Sequence, residues 1–151
     1  MEVRSYENKD FEEIWELHNA ALSHVNAHGG NGVWDDDLKN IQSVYLDNGG
    51  QFLVGLDDQK IVAMGALKKV DQKTVEIKRM RVHPSKQGLG YGKQMLSELT
   101  QNARKIGYSK VVLDTTTKQI AAQQMYLKDG FKEVKRGKMG SFEVIFYEKE
   151  L

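Results

Sequence analysis

The chain has 151 residues, 40% of them hydrophobic and 28% charged, with a net charge of +1; this fits one globular domain and excludes a disordered or fibrous chain. It contains no cysteine, which removes disulfide scaffolds, thiolate metal sites and cysteine nucleophiles. Charge is unevenly placed: residues 1–59 hold three Lys/Arg against twelve Asp/Glu, residues 60–93 nine against two, and residues 94–151 ten against seven. No apolar run approaches the ~20 residues of a membrane span. The first fifteen residues are too acidic for a signal or transit peptide, so a cytoplasmic location is expected.

In chain order, Asp10 with Glu13 reads as a helix N-cap and its reciprocal partner. Ile14, Leu17, Ala21 and Val25 then recur at helical spacing over residues 10–25. The stretch from His28 through Gly29, Gly30 and Asn31 to Gly32 is a flexible break. Asp35, Asp36 and Asp37 open a second short helix with Leu38, Ile41 and Tyr45 on one face, closed at Asn48-Gly49-Gly50. Residues 51–56 and 61–67 form an antiparallel hairpin, and a third strand runs over 74–82 to Pro84, the only proline. After a glycine-rich loop, Met95, Leu96, Leu99, Ala103 and Ile106 make one helical stripe ending at Gly107. Residues 110–115 read as a buried strand, 119–128 as a helix, and 131–136 and 142–148 as two more strands. With no repeat or linker, residues 1–151 are expected to be a single domain of mixed α+β texture.

The loop Gln87-Gly88-Leu89-Gly90-Tyr91-Gly92 lies between a strand and a helix. Glycines there let the backbone turn tightly and aim several N–H groups at one point, and the helix N-terminus adds its dipole, which suits phosphate. Lys86 and Lys93 flank it. A plain surface turn is the simpler account of such a loop taken alone. A Walker loop fails because Gln94 stands where Ser or Thr must follow Gly92-Lys93. A dinucleotide fingerprint, with Asp114 as its ribose acid, fails because Lys93 takes the third glycine position and the preceding hairpin is antiparallel.

The sequence resembles the GNAT superfamily of acyl-CoA-dependent N-acetyltransferases. Gln87, Gly90 and Gly92 fill that family's (Gln/Arg)-x-x-Gly-x-(Gly/Ala) signature. Residues 76–84 resemble its fourth strand, and Met125-Tyr126-Leu127-Lys128-Asp129-Gly130-Phe131 its later segment. The resemblance implies a central, mostly antiparallel twisted sheet, splayed between strands 4 and 5 and flanked by about four helices. It implies acetyl-CoA as cosubstrate, with the diphosphate on the N–H groups of Gln87, Gly88, Leu89, Gly90, Tyr91, Gly92 and Lys93, and the pantetheine arm beside Met80, Arg81 and Val82. The +7 net charge of residues 60–93 agrees with a phosphorylated ligand. Gln119 stands where the family often has a pantetheine-binding Asn seven residues before the tyrosine.

Acetyl transfer needs a neutral amine and a protonated leaving thiol, so a base must act. Glu76, one of two acids in the basic segment, is the candidate base, with a paired strand carboxylate as the alternative. Tyr126 aligns with the family tyrosine that protonates the thiolate, with a core tyrosine as the alternative. Direct attack is implied, without a covalent enzyme intermediate. The acidic first 59 residues suggest a cationic acceptor (polyamine-like, aminosugar-like or lysine) steered by Asp35, Asp36 and Asp37, two of which exceed the needs of capping. His18, His24, His28 and His83 form no convincing metal set, and no metal is expected. A non-catalytic CoA-binding sensor on the same fold is the alternative function. A nucleic-acid module is disfavoured because aromatics do not interleave the basic patch. The resemblance implies a homodimer; no membrane or nucleic-acid partner is expected.

Overall fold

A computed structural model describes residues 1–25 and 30–151. Strands β1 (Glu2–Ser5), β2 (Gln51–Asp57), β3 (Lys60–Lys69), β4 (Thr74–Val82), β5 (Lys110–Thr116), β6 (Lys132–Met139) and β7 (Phe142–Glu150) form one seven-stranded sheet in the order β1-β2-β3-β4-β5-β7-β6. Every pairing is antiparallel except β4 with β5. Among the described residues the α-helices are α1 (Phe11–His24), α2 (Tyr91–Ile106) and α3 (Ile120–Lys128). The expected mixed α/β sheet is therefore present.

The sheet has a core on each face because its inner strands alternate. Phe52 and Val54 of β2 pack with Ile14 and Leu17 of α1 and with Leu38, Ile41 and Tyr45. Leu53 points the other way, into a cluster with Met95, Leu96, Leu99 and Ala103 of α2. The α2 stripe is as expected, save that Ile106 at its end is exposed. Gly107 closes α2 in the left-handed conformation.

Two features of β4 open the sheet. Met64 pairs with Arg81 and Ala66 with Lys78, so β4 takes three steps where β3 takes two; the extra residue is a bulge at Arg79, whose φ is +60°. Beside it, α2 lies so close to β3 that a Cβ on Gly65 would meet Leu99 Cδ1 at 2.7 Å. Further, β4 and β5 pair only at Thr74–Lys110, Val75–Val111 and Glu76–Val112. Beyond Glu76 they diverge, while β5 stays paired to β7 as far as Thr116.

Three sequence expectations are corrected. Residues 2–5 form an edge strand that was not foreseen. Asp10 does not cap α1: its carboxylate accepts from the Glu7 N–H at 2.8 Å and binds Arg4, while Glu13 accepts from the Ile61 N–H at 3.1 Å. The second helix is a 3₁₀ segment over Val33–Lys39 followed by a π turn over Gln42–Leu46. Of the expected glycine-rich break, His28 and Gly29 lie outside the described residues.

Candidate active site

Two cavities, each of about 640 Å³, meet where β4 and β5 part. Met80, Arg81, Gln119, Ala122 and Tyr126 line both. The first runs between the glycine loop and α3; the second between the bulge of β4, the end of β5, α1 and the 33–39 segment.

The first cavity begins at the N-terminus of α2. Pro84–Lys86 makes a 3₁₀ turn, and Gly88 and Gly90 then take φ of +79° and +83°, a left-handed region that other residues enter at a cost. Gly90 is the N-cap, and the Gln94 N–H is the first amide of the loop returned to the helix, bonding the Gly90 carbonyl at 3.0 Å. The preceding N–H groups have no intrahelical partner and form an anion cradle. Asp57 anchors this loop, accepting from Tyr91 Oη at 2.9 Å and pairing with Lys86 at 3.2 Å. Lys86 is thus partly neutralised, whereas Lys93 is exposed and forms no ion pair among the described residues. Lys128, at the end of α3, adds a second cation that the sequence reading did not single out. Leu89 is exposed and lines neither cavity.

Along β4, the Met80 carbonyl already accepts from Arg81 Nη1 at 2.8 Å, and among the described residues the strand edge facing β5 has no strand partner beyond Glu76. Gln119 Oε1 accepts from Thr115 Oγ1 at 2.9 Å and from the Thr116 N–H at 3.2 Å. A backbone N–H can only donate, so this fixes the amide orientation. What Gln119 keeps for a ligand is its NH₂, a donor to a carbonyl.

Tyr126 is buried between Phe131 and Tyr147, with ring centroids 5.8 and 6.0 Å away. Burial pushes its phenol up to about 12, so it is a protonated donor at neutral pH; the nearby Arg81 cation opposes that rise. Glu76, the last paired residue before the split, lies on the wall of the second cavity and is half-buried. Burial raises its pKa, and the charge of Asp114 raises it further against the lowering effect of Lys78. Asp114 on β5 is raised by burial in the same way. The sequence points to Asp114 only as a ribose acid; the fold instead places it on the wall of the second cavity.

The acidic triplet is not free. Asp35 is 2% exposed and accepts from His18 Nε2 at 3.0 Å and Asn31 Nδ2 at 3.0 Å. Asp37 receives Arg79 Nε at 2.9 Å and the Tyr45 hydroxyl. Arg79 also reaches Asp35 at 3.4 Å and the Trp34 carbonyl at 2.6 Å. The premise that two of these acids are surplus is therefore corrected: a cation of β4 occupies them, and Asp36 alone is exposed. Among the described residues, no group of three or more His, Asp or Glu is placed to hold a metal ion, and no helix is long and apolar enough to cross a membrane.

The split sheet thus carries a helix N-terminus suited to an anion on one side of the gap and carboxylates on the other. A model of the Acetyltransferase (GNAT) family matches residues 5–131. N-acetyltransferase 8 from Homo sapiens is 34% identical over 103 residues, covering 64% of this chain and 45% of that protein, so the chain spans under half of that relative. Among solved structures, a GNAT-family acetyltransferase from Staphylococcus aureus Mu50 superposes with a TM-score of 0.89 at 26% identity, covering 99% of this chain and 98% of that one. An acetyltransferase from Salmonella typhimurium with its cofactor acetyl-CoA has the same fold, with a TM-score of 0.80 at 22% identity over 99% and 93%. The chain belongs to the GNAT acetyltransferase family.

Proposed function

We propose that this protein transfers the acetyl group of acetyl-CoA to a primary amine by direct attack in a ternary complex. The observation that carries this is the meeting of the two cavities at the β4–β5 split, with Tyr126 lining both and Glu76 at the mouth of the gap. The α2 cradle and Lys93 would take the diphosphate, and the open edge of β4 and the Gln119 amide would hold the pantetheine arm. Glu76 accepts a proton from the incoming ammonium, directly or through water, and Tyr126 delivers one to the departing sulfur.

The residue roles rest on this reading, and a homodimeric assembly in a cytoplasmic setting is proposed beside it. A strongly cationic acceptor steered by Asp35 to Asp37 is weakened, because Arg79 answers two of the three charges. The test is CoA release, followed with a thiol reagent over a panel of amines, beside calorimetry with acetyl-CoA. Binding with amine-dependent release is expected; binding without release from any amine would favour a sensor, and no binding would overturn the reading.

A further inference from the structure

The second cavity carries more charge than an amine alone requires. Asp35, Glu76, Lys78, Arg79, Arg81 and Asp114 all line it. Asp35 and Arg79 are committed to their shared network. Two carboxylates and two cations remain. The side chains of Glu76, Asp114 and Lys78 make no hydrogen bond and no ion pair among the described residues. Arg81 spends one N–H on the Met80 carbonyl and keeps a buried Nε with no partner among the described residues. A buried guanidinium N–H without an acceptor is rare in a folded protein, and at a cavity junction it marks a place for an anionic oxygen.

We propose that the acceptor is an α-amino acid with an apolar side chain, its amine received by Glu76 and Asp114 and its carboxylate held by Lys78 and Arg81. This rests on the acetyl-transfer reading and names its second substrate. Glu76 and Lys78 lie two residues apart on one face of β4, roughly 7 Å along the strand. The bulge then brings Arg81 back to the same cavity. Opposite charges thus stand close together, as a zwitterionic head group demands. A polycation would meet Lys78, Arg79 and Arg81, and a simple amine would leave the Arg81 Nε unanswered. For the side chain, Trp34, Met139, Phe142 and Leu22 line the same cavity, and Trp34 and Met139 are 59% and 56% exposed. Exposed large apolar groups gathered at one cavity mouth mark a binding surface. In the reaction, the amine nitrogen bonds to the acetyl carbonyl carbon and the C–S bond breaks. The ammonium loses two protons: one leaves through Glu76, and the equivalent of the other reaches sulfur through Tyr126. The products are an N-acetyl amino acid, CoA and one released proton.

The test compares kcat/KM for L-phenylalanine and L-methionine with that for phenethylamine, which is phenylalanine without its carboxylate, and for spermidine. Calorimetry in the presence of CoA compares N-acetylphenylalanine with N-acetylphenethylamine, a readout that needs no turnover. The carboxylate-bearing member of each pair should be favoured by at least about tenfold. Lys78→Met, at the half-buried wall, should shrink that ratio towards unity, and Arg81→Gln should do so as well. Equal or better use of phenethylamine or spermidine, a ratio unmoved by Lys78→Met, or binding of neither N-acetyl compound would overturn the proposal. In the first two cases acetyl transfer itself survives. Failure of acetyl-CoA to bind would remove both.

Discussion

Glu76 illustrates how one side chain obtains its chemistry from position. At the point where β4 leaves β5 it is too buried to be fully hydrated and too near the cleft to be paired, so its proton affinity rises. A raised pKa keeps the carboxyl protonated to higher pH, so the acid limb of kcat/KM should lie above the range of an ordinary glutamate. Glu76→Gln should lower turnover by about 10²–10⁴ with little change in acetyl-CoA affinity. Asp114 adds a like charge that lifts Glu76, so Asp114→Asn should move the acid limb to lower pH. An acid limb that Asp114→Asn leaves in place would mean that Glu76 is not the titrating base. Tyr126→Phe should slow turnover through the other proton transfer; measuring acetyl-CoA affinity alongside separates this from a packing defect around Phe131 and Tyr147.

At the scale of elements, the loop into α2 works through its backbone. Gly90 adopts φ of +83° with open space where a Cβ would stand, whereas Gly92 sits inside the helix, where a Cβ would meet the flexible Met125 at 3.3 Å and Val82 Cγ2 at an ordinary 3.6 Å. Gly90→Ala should therefore cost roughly 1–2 kcal/mol of conformational strain and turn the cradle amides, weakening acetyl-CoA well beyond Gly92→Ala in calorimetry. Equal affinities of the two variants would mean that the loop conformation does not set binding. This loop was legible in the sequence because glycine leaves a compositional mark where φ is positive. The bulge was not, because its positive-φ residue is Arg79, a type that gives no such signal. Strand β1 was missed because Glu2-Val3-Arg4-Ser5 is short and half charged, and gains its strand conformation only by pairing with β2. Asp10 looked like a cap for α1 by spacing, but Arg4 and Glu7 claim it through the turn before the helix. The carboxylates of the second cavity were only half legible: Glu76 stood out in a basic segment, but Asp114 depends on where two distant strands separate.

Across the whole molecule, the acidic N-terminal part and the basic middle are folded against each other rather than presented as two faces. Arg79 of β4 reaches Asp35 and Asp37, 44 and 42 residues away, and Asp35 in turn holds His18 of α1. This network fastens α1 and the 33–39 segment, two walls of the second cavity, onto the split edge of the sheet. His18 is 1% exposed, and burial, helped by the Arg81 and Arg79 cations, pulls its pKa down to about 4 although Asp35 opposes the shift. In the unfolded chain a histidine titrates near 6.5. Between these values the unfolded state binds the extra proton, so stability rises with pH. The contribution is complete above about 6.5 and lost progressively as pH falls towards 4, reaching roughly 2–4 kcal/mol at the bottom of that window. Asp37, where burial raises the pKa but Arg79, Tyr45 and Lys78 together hold it below the usual carboxylate range, loses its contribution only at still lower pH. The two effects therefore separate. Urea unfolding from pH 7 to pH 5 should show a falling midpoint in the wild type and a nearly flat one in His18→Gln, whatever the variant's absolute stability. Hydrogen exchange, corrected for its intrinsic pH dependence, should show residues 33–39 opening before the β5–β7 pairing. A wild-type midpoint unchanged over that interval would mean that His18 accepts its proton inside the folded protein, and that the acceptor wall keeps its grip on the sheet as pH falls.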